Sequence, residues 1–265
     1  MTDSIAITID GLTLGYGKST ILDTLSLTIP RGKITVLAGP NGCGKSTLMR
    51  AIRRLHAPRA GRILLDTSDL ATLRERLLAR HIGLLAQSPS APDDMTVEEL
   101  VRLGRYPHQT MLQPWGPEDT RALETAMAGT GVAHLRDRHL GSLSGGQLQR
   151  VWIAMVLAQE TEVICLDEPV NHLDMAHQLD CLDLVRQLKT QHGRTIVLVL
   201  HDLNLAARYA DQLVFLRDGN LVACGEPENL MTEDLIASVF DVEAMVITDP
   251  AYGRPLCIPL RTRQR

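Results

Sequence analysis

Aromatic side chains are scarce: Phe, Trp and Tyr make up 3% of the 265 residues. So few rings leave no platform on which successive bases could stack. Positive charge is not in excess either, since the formal net charge is −4. The electrostatic footprint of a phosphate-backbone binder is therefore missing, and no nucleic-acid partner is expected. Long apolar runs are absent. The stretches 34–38, 151–158, 163–166 and 196–200 fall far short of the roughly 20 residues that a membrane-crossing helix needs. The start, MTDSIAITIDG, lacks the basic end and apolar block of a signal peptide, so the chain is expected to stay in the cytosol. The five cysteines (Cys43, Cys165, Cys181, Cys224, Cys257) form no C-x-x-C pair. In a reducing compartment they read as small apolar residues or free thiols, not as disulfides or a zinc site.

What remains is an ordinary globular balance, 45% hydrophobic and 22% charged, enough for one sizeable core. Within it stands one strong motif. Gly39-Pro40-Asn41-Gly42-Cys43-Gly44-Lys45-Ser46-Thr47 follows the apolar run 34–38. This is the G-x-x-x-x-G-K-[ST] phosphate loop between a strand and a helix. Gly39, Gly42 and Gly44 let the backbone turn and aim N–H groups at phosphate oxygens. The helix starting near Lys45 adds the positive end of its dipole. Lys45 can reach the β- and γ-phosphates, and the Ser46 hydroxyl can ligate Mg²⁺. A nucleoside triphosphate is the expected ligand.

The first segment is rich in strands. Ile5, Ile7 and Ile9 alternate with polar residues, as do Leu25, Leu27 and Ile29, which predicts half-buried strands. Further strands are predicted at 61–65 and 81–86, the latter ending at Gln87. From 88 to about 141 the texture changes. Prolines punctuate the stretch, and helical periodicity appears at 97–103 and 118–127. This reads as a helical subdomain, 88–141, inserted in a single domain of 1–265. Strand and helix then alternate at 163–166, 175–189, 195–200, 203–209 and 212–216, which indicates a mainly parallel sheet with helices on both faces. Asp218-Gly219 marks a hairpin before 221–223.

Two more motifs carry chemistry. Val163-Ile164-Cys165-Leu166-Asp167-Glu168 is an apolar strand ending in two carboxylates. Asp167 can serve Mg²⁺, and Glu168 can act as general base for water. Leu143-Ser144-Gly145-Gly146-Gln147 feeds an apolar helical stretch. A Ser-Gly-Gly turn at a helix N-terminus is a second anion-binding device. One nucleotide site does not need two such devices, so the second is expected to serve a nucleotide held by another copy.

The set formed by GPNGCGKST, LSGGQ, the LDEP stretch, Asn171-His172-Leu173-Asp174 and His201 resembles the ABC-type ATPase subunits. The resemblance implies an α/β phosphate-loop core with an antiparallel β-subdomain near the N-terminus and a helical insertion. It implies that Tyr16 stacks on adenine, and that Gln87 contacts Mg²⁺ and the attacking water and senses the membrane partner. It places Asp174 in the loop that links two sites across a dimer, and gives His201 the γ-phosphate. Ser144, Gly145, Gly146 and Gln147 would complete the ATP site of a second copy. Asp94-Met95-Thr96-Val97, Leu103-Gly104-Arg105-Tyr106-Pro107-His108 and the tail around Thr248-Asp249-Pro250 resemble more narrowly the importers of iron–siderophore complexes, haem or vitamin B12.

The expectation is thus an ATPase with ATP and Mg²⁺, working as a head-to-tail homodimer at the cytoplasmic face of the membrane. Its partners would be separate integral membrane permease subunits and, indirectly, a substrate-binding protein. The missing spans make the permease a separate chain. A soluble ABC-type clamp or scaffold is the alternative, but tandem cassettes, coiled-coil insertions and strongly basic surfaces are not visible. A phosphate-loop kinase is disfavoured by LSGGQ and by the lack of an acceptor-substrate lid.

Overall fold

The structure, a computed structural model, describes residues 4–110, 114–171 and 173–263. The chain divides into two units, Met1–Thr72 with Thr195–Arg265, and Leu73–Arg194.

The first unit opens with β1 (Ile5–Tyr16) and β2 (Ser19–Pro30), paired antiparallel. Ile7, Ile9, Leu12 and Leu14 of β1 are buried, whereas Ile5 is 46% exposed. The simple alternation through Ile5 does not hold, because the register with β2 shifts between Ile5 and Ile7 and brings Ala6 inward. Next come β3 (Ile34–Ala38), buried at every position, and α1 (Lys45–Ile52). Then β4 (Ala60–Leu65) pairs with β1 and with the short β5 (Ser68–Asp69), which completes the antiparallel β-subdomain near the N-terminus.

The second unit starts with α2 (Glu75–His81) and β6 (Ile82–Leu85). The strand expected from 81 begins at Ile82, because His81 is the last residue of α2, whose backbone bonds carry the chain up to that point. Three helices follow: α3 (Val97–Leu103), α4 (Pro117–Gly129) and α5 (Gly145–Ala158). Thr96 caps α3 reciprocally with Glu99, the capping-box arrangement. The strand β7 (Val163–Asp167) pairs parallel with β6, and α6 (Met175–His192) closes the unit.

The proline-punctuated stretch is held by one residue. Arg105 is 3% exposed, and its guanidinium donates to Asp119 at 2.8 Å, to Glu160 at 2.8 Å and to the Ala158 carbonyl at 2.7 Å. It thereby joins the end of α3 to the start of α4 and the end of α5. A buried guanidinium is tolerable only when its donors are matched in this way.

The chain returns to the first unit with β8 (Thr195–Val199), α7 (Leu203–Tyr209) and β9 (Gln212–Arg217). Both β8 and β9 pair parallel with β3. Every residue of β3 and β8 is buried, as expected of parallel strands covered on both faces. β10 (Asn220–Gly225) folds back on β9 through Asp218 and Gly219, at φ +49° and +80°. Two helices, α8 (Pro227–Leu230) and α9 (Glu233–Phe240), lead to a hairpin of β11 (Val242–Thr248) and β12 (Pro255–Thr262). The sequence reading did not anticipate these last four elements.

Candidate nucleotide site

In the first unit, β3 delivers the chain to Gly39, and α1 takes it away after Gly44. Two of the glycines are required by space. A Cβ on Gly39 (φ +151°) would lie 2.0 Å from the Leu216 carbonyl oxygen, and one on Gly44 (φ +107°) would lie 2.4 Å from Leu22. Gly44 is the N-cap of α1 with no side-chain cap, so the first N–H groups of the helix depend on another acceptor. Lys45 is 5% exposed, and its ammonium donates to the carbonyls of Gly39 at 2.8 Å and Pro40 at 3.0 Å. It also lies 3.7 Å from Cys43 Sγ. Burial pushes the Cys43 thiol up, and the adjacent ammonium only partly offsets this. Ser46 and Thr47 are half-buried in the first turn of α1, while Asn41 and Gly42 are exposed.

Two further predicted residues lie in this unit. Tyr16 ends β1, is 47% exposed, and sits against His56 at a centroid distance of 4.5 Å. A ring nitrogen of His56 lies 3.0 Å from the Gly15 carbonyl oxygen, which steadies the ring beneath the exposed Tyr16. His201 follows β8 and is exposed. The next residue, Asp202, caps α7 by accepting from the N–H groups of Asn204 and Leu205, so the turn carrying His201 is tied down.

In the second unit, β7 ends on Asp167, 5% exposed, and Glu168, 8% exposed, follows it. Glu168 has φ +55°, a left-handed conformation that costs a non-glycine residue about 1–2 kcal/mol. Gln87 lies just beyond the end of β6, and its amide donates to Glu168 Oε2 at 2.5 Å. The same oxygen accepts from the Asn171 side chain, and the Asn171 N–H reaches the Glu168 carbonyl at 3.3 Å. Two neutral donors therefore orient one carboxylate oxygen. The motif Asn171-His172-Leu173-Asp174 gives Asn171 no role by itself; its contact with Glu168 arises from the positive-φ turn at Glu168. His172 lies outside the described residues.

The Ser-Gly-Gly turn is also in this unit. Ser144 caps α5: its Oγ accepts from the Gln147 N–H at 3.3 Å, and Gln147 Oε1 accepts from the Ser144 N–H at 3.1 Å. Gly145 and Gly146 form the first turn. At the head of α6, Asp174 Oδ1 accepts from the backbone N–H of His177 at 2.9 Å and from its Nδ1 at 2.7 Å. The backbone bond above all, then the ring bond, holds the Asp174 carboxyl below the usual aspartate range.

No group of three His, Cys, Asp or Glu capable of holding a metal occurs among the described residues. Mg²⁺ needs no such group, since it takes one or two protein oxygens and fills its octahedron with phosphate and water. The Ser46 hydroxyl and the buried Asp167 carboxylate are hard oxygen donors of the right kind. None of the described helices is long and apolar enough to cross a membrane.

Comparison with known proteins gives the family. The ABC transporter family profile matches residues 22–171. The chain is 51% identical to the Probable siderophore transport system ATP-binding protein YusV of Bacillus subtilis (strain 168), over 96% of this chain and 92% of that one. It is 49% identical to the Ferric enterobactin transport ATP-binding protein FepC of Escherichia coli (strain K12), over 98% and 96%. Among solved structures, a chain from an inward-facing metal-chelate type ABC transporter superposes with a TM-score of 0.84 at 27% identity, covering 97% of this chain and 98% of that one.

Proposed function

This chain belongs to the ABC transporter family and is an ATP-binding ATPase subunit, and from that premise we propose that it powers the import of a ferric siderophore through a separate membrane permease. The observation that carries the substrate is identity near one half, over almost the whole chain, to proteins named for siderophore and ferric enterobactin transport. Haem or vitamin B12 is the alternative cargo. The protein would sit peripherally at the cytoplasmic face of the membrane, with residues 88–141 as a helical insertion in one ATPase domain.

The residue roles follow from the family resemblance and from the chemistry of the side chains. Lys45 and the N–H groups of Gly39–Thr47 would hold the triphosphate by charge and by the dipole of α1. Tyr16 would stack on the adenine. Ser46, Gln87 and Asp167 would hold Mg²⁺, which when bound neutralises charge on the β- and γ-phosphates. Glu168 would take the proton of the attacking water, with Gln87 and Asn171 aiming its carboxylate. His201 would hold the γ-phosphate. Ser144, Gly145, Gly146 and Gln147 would complete the site of a second copy, and closure of the two copies would drive the permease.

Purification with a multispan permease encoded nearby, followed by uptake assays in vesicles, tests this. ATP-dependent uptake of a ferric siderophore, exceeding that of haem or cobalamin, is expected. Uptake of neither chelate class by an ATP-hydrolysing complex would contradict the cargo.

A further inference from the structure

We propose that His177 is a positioning residue that couples the Ser144-Gly145-Gly146 turn to the Asp174 loop, so that both segments offered to a second copy are held as one piece. The proposal rests on the head-to-tail reading above.

Asp174 accepts from both the backbone N–H and the Nδ1 of His177, at 2.9 and 2.7 Å. The partner of Nδ1 is a carboxylate, which can only accept, so Nδ1 carries the proton. An N-cap alone needs the backbone bond and not the ring bond. The ring has a second task. Its far edge lies on the first turn of α5: a Cβ on Gly146 would stand 2.5 Å from His177 Cδ2 and 3.1 Å from Nε2. Glycine at 146 is thus what lets the imidazole lie there.

The ring is not core filling. The His177 side chain is 38% exposed and Asp174 is 68% exposed. Two exposed side chains would ordinarily sample several rotamers. Here one ring fixes the carboxylate on one edge and abuts a helix turn on the other.

The seam continues beyond this contact, and the Asp174 loop is braced from its own helix. One turn further along, Arg150 of α5 donates to Asp180 of α6 at 2.8 Å. Gln178 donates to the Leu173 carbonyl at 3.1 Å, holding the backbone just before Asp174. The heads of α5 and α6 are therefore braced by side chains that belong neither to the phosphate loop nor to the Asp167-Glu168 pair. Preorganisation of this kind matters when a site is assembled from two chains, since a misplacement of about 1 Å can cost about 10²-fold in rate.

The test uses the full chain as purified, with His177→Ala, His177→Asn and Ser144→Arg. Asn retains an N–H donor at the place of Nδ1. His177→Ala should lower the kcat for ATP by about tenfold. Its KM and the MgATP affinity of the dilute protein should stay within about twofold of wild type, the split expected of a group acting only in the assembled site. His177→Asn, which keeps a donor to Asp174 but not the ring edge on Gly146, should recover only part of the loss. The melting temperature of all variants should match wild type. Wild-type kcat in His177→Ala, with Ser144→Arg inactive, would overturn the coupling while leaving the head-to-tail reading in place. So would full recovery in His177→Asn, since the bond to Asp174 alone would then suffice. A fully active Ser144→Arg would remove the head-to-tail reading, and the role of His177 with it.

Discussion

Gln87 and Glu168 are joined by a hydrogen bond of 2.5 Å, from the amide to Oε2. They come from the ends of neighbouring parallel strands, with Leu85 directly opposite Leu166. A second donor, Asn171, takes the same oxygen. A residue that turns at φ +55° and has its carboxylate oriented by two amides is arranged for a single task.

Glu168→Gln should keep ATP binding and lose about 10²–10⁴ in turnover, because the base is gone while size and one acceptor oxygen remain. The new amide also places a donor among the amides of Gln87 and Asn171. Paired measurements of nucleotide affinity and steady-state hydrolysis check this, and near-normal turnover would remove Glu168 from the mechanism.

Lys45→Ala should weaken binding and hydrolysis together. In the role proposed for it, Lys45 meets phosphate charge in both the ground state and the transition state, so its loss is not confined to kcat. Nucleotide affinity equal to wild type in a direct binding titration would contradict this role.

Gly146→Ala should reduce turnover, since its methyl would stand 2.5 Å from the His177 ring. Combined with His177→Ala, it should add little further loss, because the ring it strikes is gone. Mutations acting through one contact are non-additive. A double variant whose losses multiply independently would show that the two residues do not share a contact in the working protein.

Arg105→Ala should cost about 3–5 kcal/mol of stability, as it leaves Asp119 buried without its charged partner. Burial alone would push the Asp119 carboxyl up, but the Arg105 hydrogen bond, the Gly116 N–H and the guanidinium charge outweigh it and hold the group below its ordinary value. The folded state then binds fewer protons than the unfolded one in that range. The contribution is complete above the ordinary aspartate value and disappears as pH falls through the lowered one. Wild type should therefore lose stability below about pH 4 more steeply than Asp119→Asn. Denaturant midpoints across that range decide it, and identical slopes would contradict it.

Much of this architecture was legible in the chain. The limits of β3, α3 and α7 follow from their apolar spacing, and the phosphate loop from its glycines and Lys45. The C-terminal hairpin was not, because its outward residues are also apolar. Met245 and Ile247 are 43% and 40% exposed, so the alternation that marks a half-buried strand is erased. The Arg105 network was invisible because its partners, Asp119 and Glu160, are remote in sequence and meet only once the helices pack. His177 reads as a polar position on a helix, and only its contact with Gly146 gives it a further meaning. In the candidate site, residue types suggested the chemistry proposed, whereas the orientation of Glu168 by Asn171 depended on a backbone turn that no spacing rule encodes.

The central claim is that ATP is held between two copies of this chain, with Ser144 of one acting on the nucleotide of the other. Molar mass in solution tests it most directly. Glu168→Gln should be a monomer without nucleotide and a dimer with MgATP, and adding Ser144→Arg to the same chain should return it to a monomer with ATP still bound. A dimer that forms equally well with Ser144→Arg, or a Glu168→Gln chain that stays monomeric with ATP bound, would contradict the account.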